Sequence, residues 1–442
     1  MTAPAHPARS FRQTAVAGIA YQGAASLYQL LIPAVIARRH DGPAGYAGHD
    51  GDARLLGLWL TAYSLFGLVQ AANLGVPGAL LSAVDAGPGR DPARNAALVR
   101  SALTLTAIYA AIPALLTLLA PLVPWQRWLP FPASAGPPGA FLAVMGAFAA
   151  LTLLAGLAQP IFVALHRGYD AYLVTSVVHV AFIPAVLVAA ALHAPFAVLS
   201  GIFLGPPLVS GLVLWGLGLR RREVAVARQA GPGALRALWH LGAPFLAADL
   251  VTSLILRTPE AILSQAHGLT EAGRFSVVQR FPFLLSAVLT VVLQPLWPSF
   301  AQAARAGDRA GALALVRRAL LAVLVLWGAF AVLVLALGRF LLRKWLGTDL
   351  GEAPATLPLA VALGLAQSLH YCVALVLVGL AARRENLRVS VFMLLAWFPV
   401  CLPLTRLLGA PGTFLALIVV FGLVGAPLGA REVRRRLRRL SA

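Results

Sequence analysis

The sequence has 442 residues, of which 60% are hydrophobic and 11% are charged, and its mean hydropathy is +0.83. So few charges could not cover the surface of a soluble globule of this length, and the composition therefore indicates a polytopic membrane protein. The net charge of +20 indicates membrane topology rather than nucleic-acid binding, because no soluble domain is visible that could carry a basic face.

Twelve stretches of the chain are apolar enough to cross a membrane when windows of about 19 residues are scored. The first six lie at residues 14–36, 57–82, 101–123, 139–163, 172–193 and 196–219. The second six lie at residues 241–265, 274–298, 319–342, 357–381, 388–408 and 411–430. The sequence therefore predicts an all-α integral membrane protein with twelve transmembrane helices, and the even number places both termini on the same side.

Arginine is concentrated in the loops on one side of this predicted membrane. By the positive-inside rule that side is the cytoplasm, and it contains both termini. We predict an N-terminal six-helix lobe at 1–219, a basic cytoplasmic linker at 220–240, a C-terminal six-helix lobe at 241–430 and a basic cytoplasmic tail at 431–442. Two lobes of equal span number and equal orientation are typical of parallel repeats in transporters.

Polar side chains recur every three or four residues in the leading spans of both lobes, which places them on one helical face. The seventh span contributes Asp249, Ser253, Arg257, Glu260, Ser264 and His267. The other polar positions are Gln22 and Gln29 in the first span, Gln70 and Asn73 in the second, and Arg280 in the eighth. Lipid cannot solvate such faces, so we expect them to line a shared, water-filled cavity between the lobes.

Arg257 and Arg280 are expected to be neighbours, because both lie roughly 10 Å below the outer surface at about 1.5 Å per residue. A charge at the centre of a membrane helix costs about 2.5 to 3.5 kcal/mol, so these residues need an explanation. One is that the two arginines bind an anion such as phosphate. The others are an internal charge network with Asp249 and Glu260, or coupling of one of these two acids to an ion.

No pattern of catalytic residues is visible in the sequence. It contains no Gly-rich phosphate loop, no Asp-x-Asp metal pair, no zinc-protease motif and no nucleophile elbow, so we expect no enzymatic activity, no metal and no cofactor.

Cys372 and Cys401 lie in apolar stretches and are expected to pack as small hydrophobic residues. The basic segment from Gln302 to Arg318 is amphipathic and is expected to form an interfacial helix.

Four segments resemble a known transporter family. In the second half they are LRTPEAILSQAHGLTEAGRFSVVQRFPFLL, at 256–285, and QPLWPSFAQAARAGDRAGALALVRRAL, at 294–320. In the first half they are ANLGVPGALLSAV, at 72–84, and AQPIFVALHRGYDAYLVTS, at 158–176. They resemble the lipid-linked oligosaccharide flippases, which include the polysaccharide biosynthesis and O-antigen exporters, of the multidrug/oligosaccharidyl-lipid/polysaccharide (MOP) superfamily.

This resemblance implies a two-lobed, V-shaped fold that works by alternating access in a bacterial inner membrane. The implied cargo is an undecaprenyl-pyrophosphate-linked glycan, which is moved from the cytoplasmic to the periplasmic leaflet, and other polysaccharide-assembly proteins are possible partners. We expect Arg257 and Arg280 to contact the head group, with hydrogen bonds from Gln22, Gln29, Gln70 and Asn73. The family usually has an acidic residue near Glu260, although the preceding Arg-Thr-Pro is less typical of it.

Two alternative functions follow from the same sequence. A multidrug and toxin extrusion (MATE) antiporter of the same fold would export organic cations, and it would favour acidic groups in its cavity without matching arginines. A membrane glycan polymerase or ligase would need a large outer loop with catalytic residues, and the outer loops predicted here are short.

Overall fold

The structure is a computed structural model that describes residues 7–37, 49–84, 91–122, 131, 135–165, 167–220, 226–227, 229, 231–293, 296–346, 353–380 and 382–439. Across these residues the regular secondary structure is helical, with no strand. This confirms the predicted all-α class. The predicted linker residues 221–225, 228 and 230 and the last three residues of the tail lie outside the described part of the chain.

Eight α-helices lie in the described part of the first half of the chain. They are α1 (Pro7–Ala37), α2 (His49–Ala71), α3 (Val76–Ala83), α4 (Pro92–Leu119), α5 (Pro138–Gly156), α6 (Ala158–Ala164), α7 (Gly168–Ala191) and α8 (Phe196–Arg220). Asp91 caps α4, since its side chain accepts hydrogen bonds from the backbone N–H groups of Ala93 and Arg94.

Nine α-helices and a π-helical turn lie in the described part of the second half. They are α9 (Pro232–Arg257), α10 (Pro259–His267), α11 (Leu269–Leu293), α12 (Leu296–Ala306), α13 (Arg309–Leu346), α14 (Leu357–Gly379), α15 (Arg383–Leu408), α16 (Ala410–Ile418), the π-helical turn (Val419–Gly425) and α17 (Ala426–Arg439). A short 3-10 helix, Ala353–Thr356, precedes α14.

Ten of the described helical stretches are long and apolar enough to span a membrane, and they coincide with predicted spans one to six and nine to twelve. Predicted spans seven and eight are occupied by α9, α10 and α11. The chain is thus a multi-pass membrane protein.

The amphipathic segment at 302–318 differs from its prediction. It is split between α12 and α13, and from Arg309 onward it is continuous with the ninth span in a helix of 38 residues. Asp308 begins that helix by accepting a hydrogen bond from the backbone N–H of Gly311 at 2.8 Å. No proline follows within α13, so nothing separates the basic segment from the apolar one.

The chain divides into two compact units. The first unit comprises residues 1–51 and 65–250, and the second comprises residues 52–64 and 251–442. Each has its own apolar core. In the first unit, α3, α4, α6 and α7 pack around residues such as Leu98 and Phe162, and in the second, α11 to α14 and α17 pack around residues such as Phe300 and Val376. The lobes predicted at 1–219 and 241–430 were defined by membrane spans rather than by compactness, and they stay a prediction.

The second span is broken between α2 and α3. Leu74 and Gly75 adopt positive φ angles of 59° and 65°, and the Asn73 side-chain oxygen accepts a hydrogen bond from the backbone N–H of Gly75 at 3.1 Å. A Cβ on Gly75 would overlap the carbonyl oxygen of Gly242 in α9, so only glycine fits this close approach. The break therefore lets α9 pack directly against the backbone of the second span.

Candidate anion-binding site

The candidate site begins at the interruption between α9 and α10. Pro259 is the first residue of α10, and its missing N–H group and ring end the preceding helix at Arg257. The intervening Thr258 hydroxyl donates to the carbonyl of Leu254 at 2.6 Å and accepts a hydrogen bond from Trp397 Nε1 at 2.9 Å. Trp397 is fully buried in α15, so it fixes the position of this interruption.

Replacing Thr258 by valine should destabilise the second unit by about 1 to 3 kcal/mol. The change keeps the shape of the side chain but leaves the buried Trp397 N–H without its acceptor. Thermal unfolding of the purified variant in detergent measures the effect. Thr104→Val is the matched control, because the Thr104 hydroxyl donates to the carbonyl of Arg100 one turn earlier in an exposed position. Equal unfolding midpoints for the two variants would contradict the assigned role.

Glu260 lies at the start of α10 and is 5% exposed. Its carboxylate is within hydrogen-bonding reach of Ser64 in α2, and it interacts electrostatically with Arg257 and Arg280. Among the ion pairs of the described residues, none joins Glu260 directly to either arginine, and its Oε2 atom has no hydrogen-bond partner in the protein. The two arginines and the glutamate therefore form a group in which no direct ion pair joins the glutamate to an arginine.

Arg280 lies in α11 and is held beside an aromatic ring. Its guanidinium carbon lies 6.0 Å from the centroid of the Tyr63 ring, a cation–π distance, and Arg257 and Glu260 also act on its charge. The sequence predicted that Arg257 and Arg280 would be neighbours, and the structure places both around Glu260 in the second unit. We call Arg257, Glu260, Arg280, Tyr63 and Ser64 the arginine cluster.

The arginine cluster carries a net positive charge. Both arginines stay protonated in proteins, and the single glutamate can contribute at most one negative charge. A charge network that includes Asp249 was one of the predicted explanations; Asp249 belongs to the first unit, and its side chain is exposed. The arrangement can therefore attract an anion.

Several buried polar atoms of the second unit lack a hydrogen-bond partner within the protein. Besides Glu260 Oε2 they are Thr61 Oγ1, Ser276 Oγ and both amide atoms of Gln279, together with both amide atoms of Gln367 and Nδ1 of His370 in α14. Gln279 is fully buried, and it lies one turn beyond Ser276 on the same face of α11. Burying polar groups unpaired costs free energy, so each of these atoms needs a partner that the protein itself does not supply.

The four predicted amide contacts lie in the first unit. Gln70 Nε2 donates to the carbonyl oxygen of Ala149 at 3.0 Å, and Asn73 stabilises the break before α3. Gln22 is half-buried and Gln29 is exposed in α1. Arg257, Glu260 and Arg280 thus belong to the second unit, whereas the first unit contains Gln22, Gln29, Gln70, Asn73 and Asp249.

Sequence reasoning missed Tyr63 and Ser64 as members of this site. They belong to the second span, whose residues 52–64 are part of the second compact unit. A Cβ on Gly57 would overlap the carbonyl oxygen of Leu269, which shows how closely α2 approaches the start of α11. The glycine at position 57 was the available signal, since a helical glycine often marks a close approach between backbones.

The fold of this chain is similar to that of several solved membrane transporters. The sequence matches no protein-family model and no curated protein. A MOP superfamily transporter from Pyrococcus furiosus has a TM-score of 0.70 at 12% identity, with 99% of this chain and 97% of that chain covered. An inward-facing multidrug resistance MATE family transporter gives 0.71 at 13% identity, with 96% of each chain covered. The lipid II flippase MurJ gives 0.68 at 11% identity, covering 98% of this chain and 89% of its own.

These similarities extend over nearly the whole chain, and their sequence identities are too low to show more than the fold. The chain therefore has the fold of the transporters of the MOP superfamily.

Proposed function

We propose that this protein is a flippase that moves a polyprenyl-pyrophosphate-linked oligosaccharide across a bacterial inner membrane by alternating access. The cargo would pass from the cytoplasmic to the periplasmic leaflet for the synthesis of a cell-surface polysaccharide. The observation that carries the proposal is the net positive arginine cluster, in which Glu260 is not directly paired with either Arg257 or Arg280.

The chemistry of the cluster suits a pyrophosphate head group. A guanidinium presents a planar fork of N–H donors that matches phosphate oxygens, and such charge-assisted hydrogen bonds are roughly twice as strong as neutral ones. The unpartnered atoms of Ser276 and Gln279 would add hydrogen bonds to an oxygen-rich ligand. These contacts would lower the cost of carrying a polar, anionic head past about 30 Å of hydrocarbon.

The fold neighbours support a transporter and include both candidate cargo classes. One of them is a lipid II flippase, and others are multidrug resistance transporters. The transporter from Pyrococcus furiosus is described as having a binding pocket of reverse polarity that suggests a different function. Polarity of the binding groups is thus a reasonable criterion for choosing between cargoes within this fold.

An antiporter of organic cations is the second candidate, and the buried Glu260 with its unpartnered Oε2 atom favours it. An acid in this position could bind a cation or couple its movement to an ion. Two arginines act on this one acid, however, and their repulsion of a cationic drug would oppose binding. We therefore prefer the anionic cargo.

A transport assay in proteoliposomes separates these functions. The purified chain should accelerate the crossing of a fluorescent polyprenyl-pyrophosphate oligosaccharide, which is measured by quenching of the label on the outer leaflet. It should not accumulate a fluorescent organic cation under an imposed ion gradient. Cation accumulation without glycolipid crossing would instead establish the antiporter, and a change in the length of the glycan would reveal a polymerase or ligase.

A further inference from the structure

The end of the last span carries a row of arginines whose positions the fold fixes. The candidate span Ala410–Arg439 has 30 residues, which at about 1.5 Å per residue makes a rod of roughly 45 Å. The hydrocarbon core of a bilayer is about 30 Å thick. The first 20 residues of this span suffice to cross it, so the segment from Arg431 to Arg439 lies at the level of the lipid head groups.

This basic segment belongs to the helical bundle, as part of α17. Val433 and Leu437 are 7% and 5% exposed, and they are part of the same core cluster as Leu380 in the second unit. Gly429, one turn earlier, is so close to α14 that a Cβ there would overlap the Val373 side chain. Because one face of α17 is anchored in this way, the arginines on its other faces hold a defined arrangement.

A groove of about 450 Å³ runs along one exposed face of α17. It is lined by Pro427 and Ala430 at its membrane end and, further along, by Arg431, Arg434, Arg435 and Arg438. No acidic side chain lines it, whereas the neighbouring groove between α15 and α17 includes Glu385 and Glu432. One turn before Pro427, Leu423 is 71% exposed, which continues the apolar strip toward the membrane.

We propose that this groove is a binding site for the head group of an anionic phospholipid. The four guanidinium groups would hold the phosphate, and the apolar strip of Leu423, Pro427 and Ala430 would contact the beginning of an acyl chain. A free phosphate would use the arginines alone, so the amphipathic lining favours the lipid. The site is separate from the arginine cluster and does not depend on which cargo the protein carries.

The site can be tested on the full-length chain by native mass spectrometry with equimolar phosphatidylglycerol and phosphatidylcholine. The wild-type protein should retain phosphatidylglycerol preferentially. The triple variant Arg431→Gln, Arg434→Gln, Arg438→Gln should bind it at least tenfold more weakly, since each arginine near a membrane surface contributes about 1 kcal/mol. Arg435 is left in place because it forms an ion pair with Glu432 at 2.7 Å.

A triple variant of three exposed arginines of α13, Arg317→Gln, Arg339→Gln, Arg343→Gln, removes the same charge elsewhere and should bind phosphatidylglycerol like the wild type. Arg434→Gln alone should weaken binding about fivefold if the triple variant does not fold. Equal retention of the two lipids by the wild type, or equal losses in the two triple variants, would overturn the proposal. Displacement of the lipid by an equal concentration of inorganic pyrophosphate would also overturn it, because it would assign the groove to a free anion.

Discussion

Replacing Arg280 by alanine should reduce glycolipid transport in proteoliposomes by roughly tenfold to hundredfold. Hydrogen bonds to charged groups contribute about 1.5 to 3 kcal/mol, and each 1.4 kcal/mol corresponds to a factor of ten. The loss should exceed that caused by Arg280→Lys, which keeps the charge but lacks the planar fork. Arg257→Ala should act in the same direction, because Arg257 acts on the same charges. Initial rates of glycolipid crossing measure the effect.

Arg274→Ala is the matched control for Arg280→Ala. Arg274 lies in the same helix, is also half-buried and pairs with Glu271 at 3.6 Å, so it is outside the arginine cluster. We expect this variant to transport at close to the wild-type rate. Wild-type transport by both Arg257→Ala and Arg280→Ala, with normal insertion and yield, would show that the arginines are structural and would remove the basis for an anionic cargo.

Replacing Gly57 by alanine should be among the most destabilising of single substitutions in this chain, at about 3 kcal/mol. The added Cβ would overlap the carbonyl oxygen of Leu269, and a backbone group cannot move aside as a flexible side chain can. The strain would separate α2 from the start of α11, and both Gly57 and Leu269 belong to the second unit. The apparent unfolding midpoint and the yield of monodisperse protein in detergent measure the effect.

Gly328→Ala makes the same chemical change in α13 of the same unit, at a position where a Cβ would meet nothing within 4 Å. Because alanine favours a helix over glycine by up to about 1 kcal/mol, this variant should be as stable as the wild type or slightly more stable. Wild-type stability of Gly57→Ala would contradict the close approach of α2 to α11.

The helices could be predicted from the sequence because hydropathy depends on local composition. Ten of the predicted spans coincide with described helices, and the bounds of α7 and α8 differ little from their predictions. The seventh span and the amphipathic segment at 302–318 differ from their predicted form, and the causes are local. Proline at position 259 breaks the seventh span after Arg257, and the absence of a proline within α13 allows one helix to continue through the predicted interfacial segment.

The arginine cluster could be predicted only in part. Helical periodicity and depth identified Arg257, Glu260 and Arg280, since these properties follow from spacing along the chain. The contribution of Tyr63 and Ser64 depends on which helices pack together, and spacing carries no information about this contact. For the same reason Asp249 shares a helical face with Glu260 in the sequence pattern but belongs to the other compact unit.

The most direct test of this account is the affinity of the purified chain for a short-chain, water-soluble polyprenyl pyrophosphate, measured for the wild type and for Arg280→Ala. If the arginine cluster holds an anionic head group, the wild type should bind this ligand at least tenfold more tightly than the variant does. The corresponding uncharged polyprenol should bind the two proteins equally. Equal affinity of both proteins for the pyrophosphate would contradict the claim that the arginine cluster recognises the cargo.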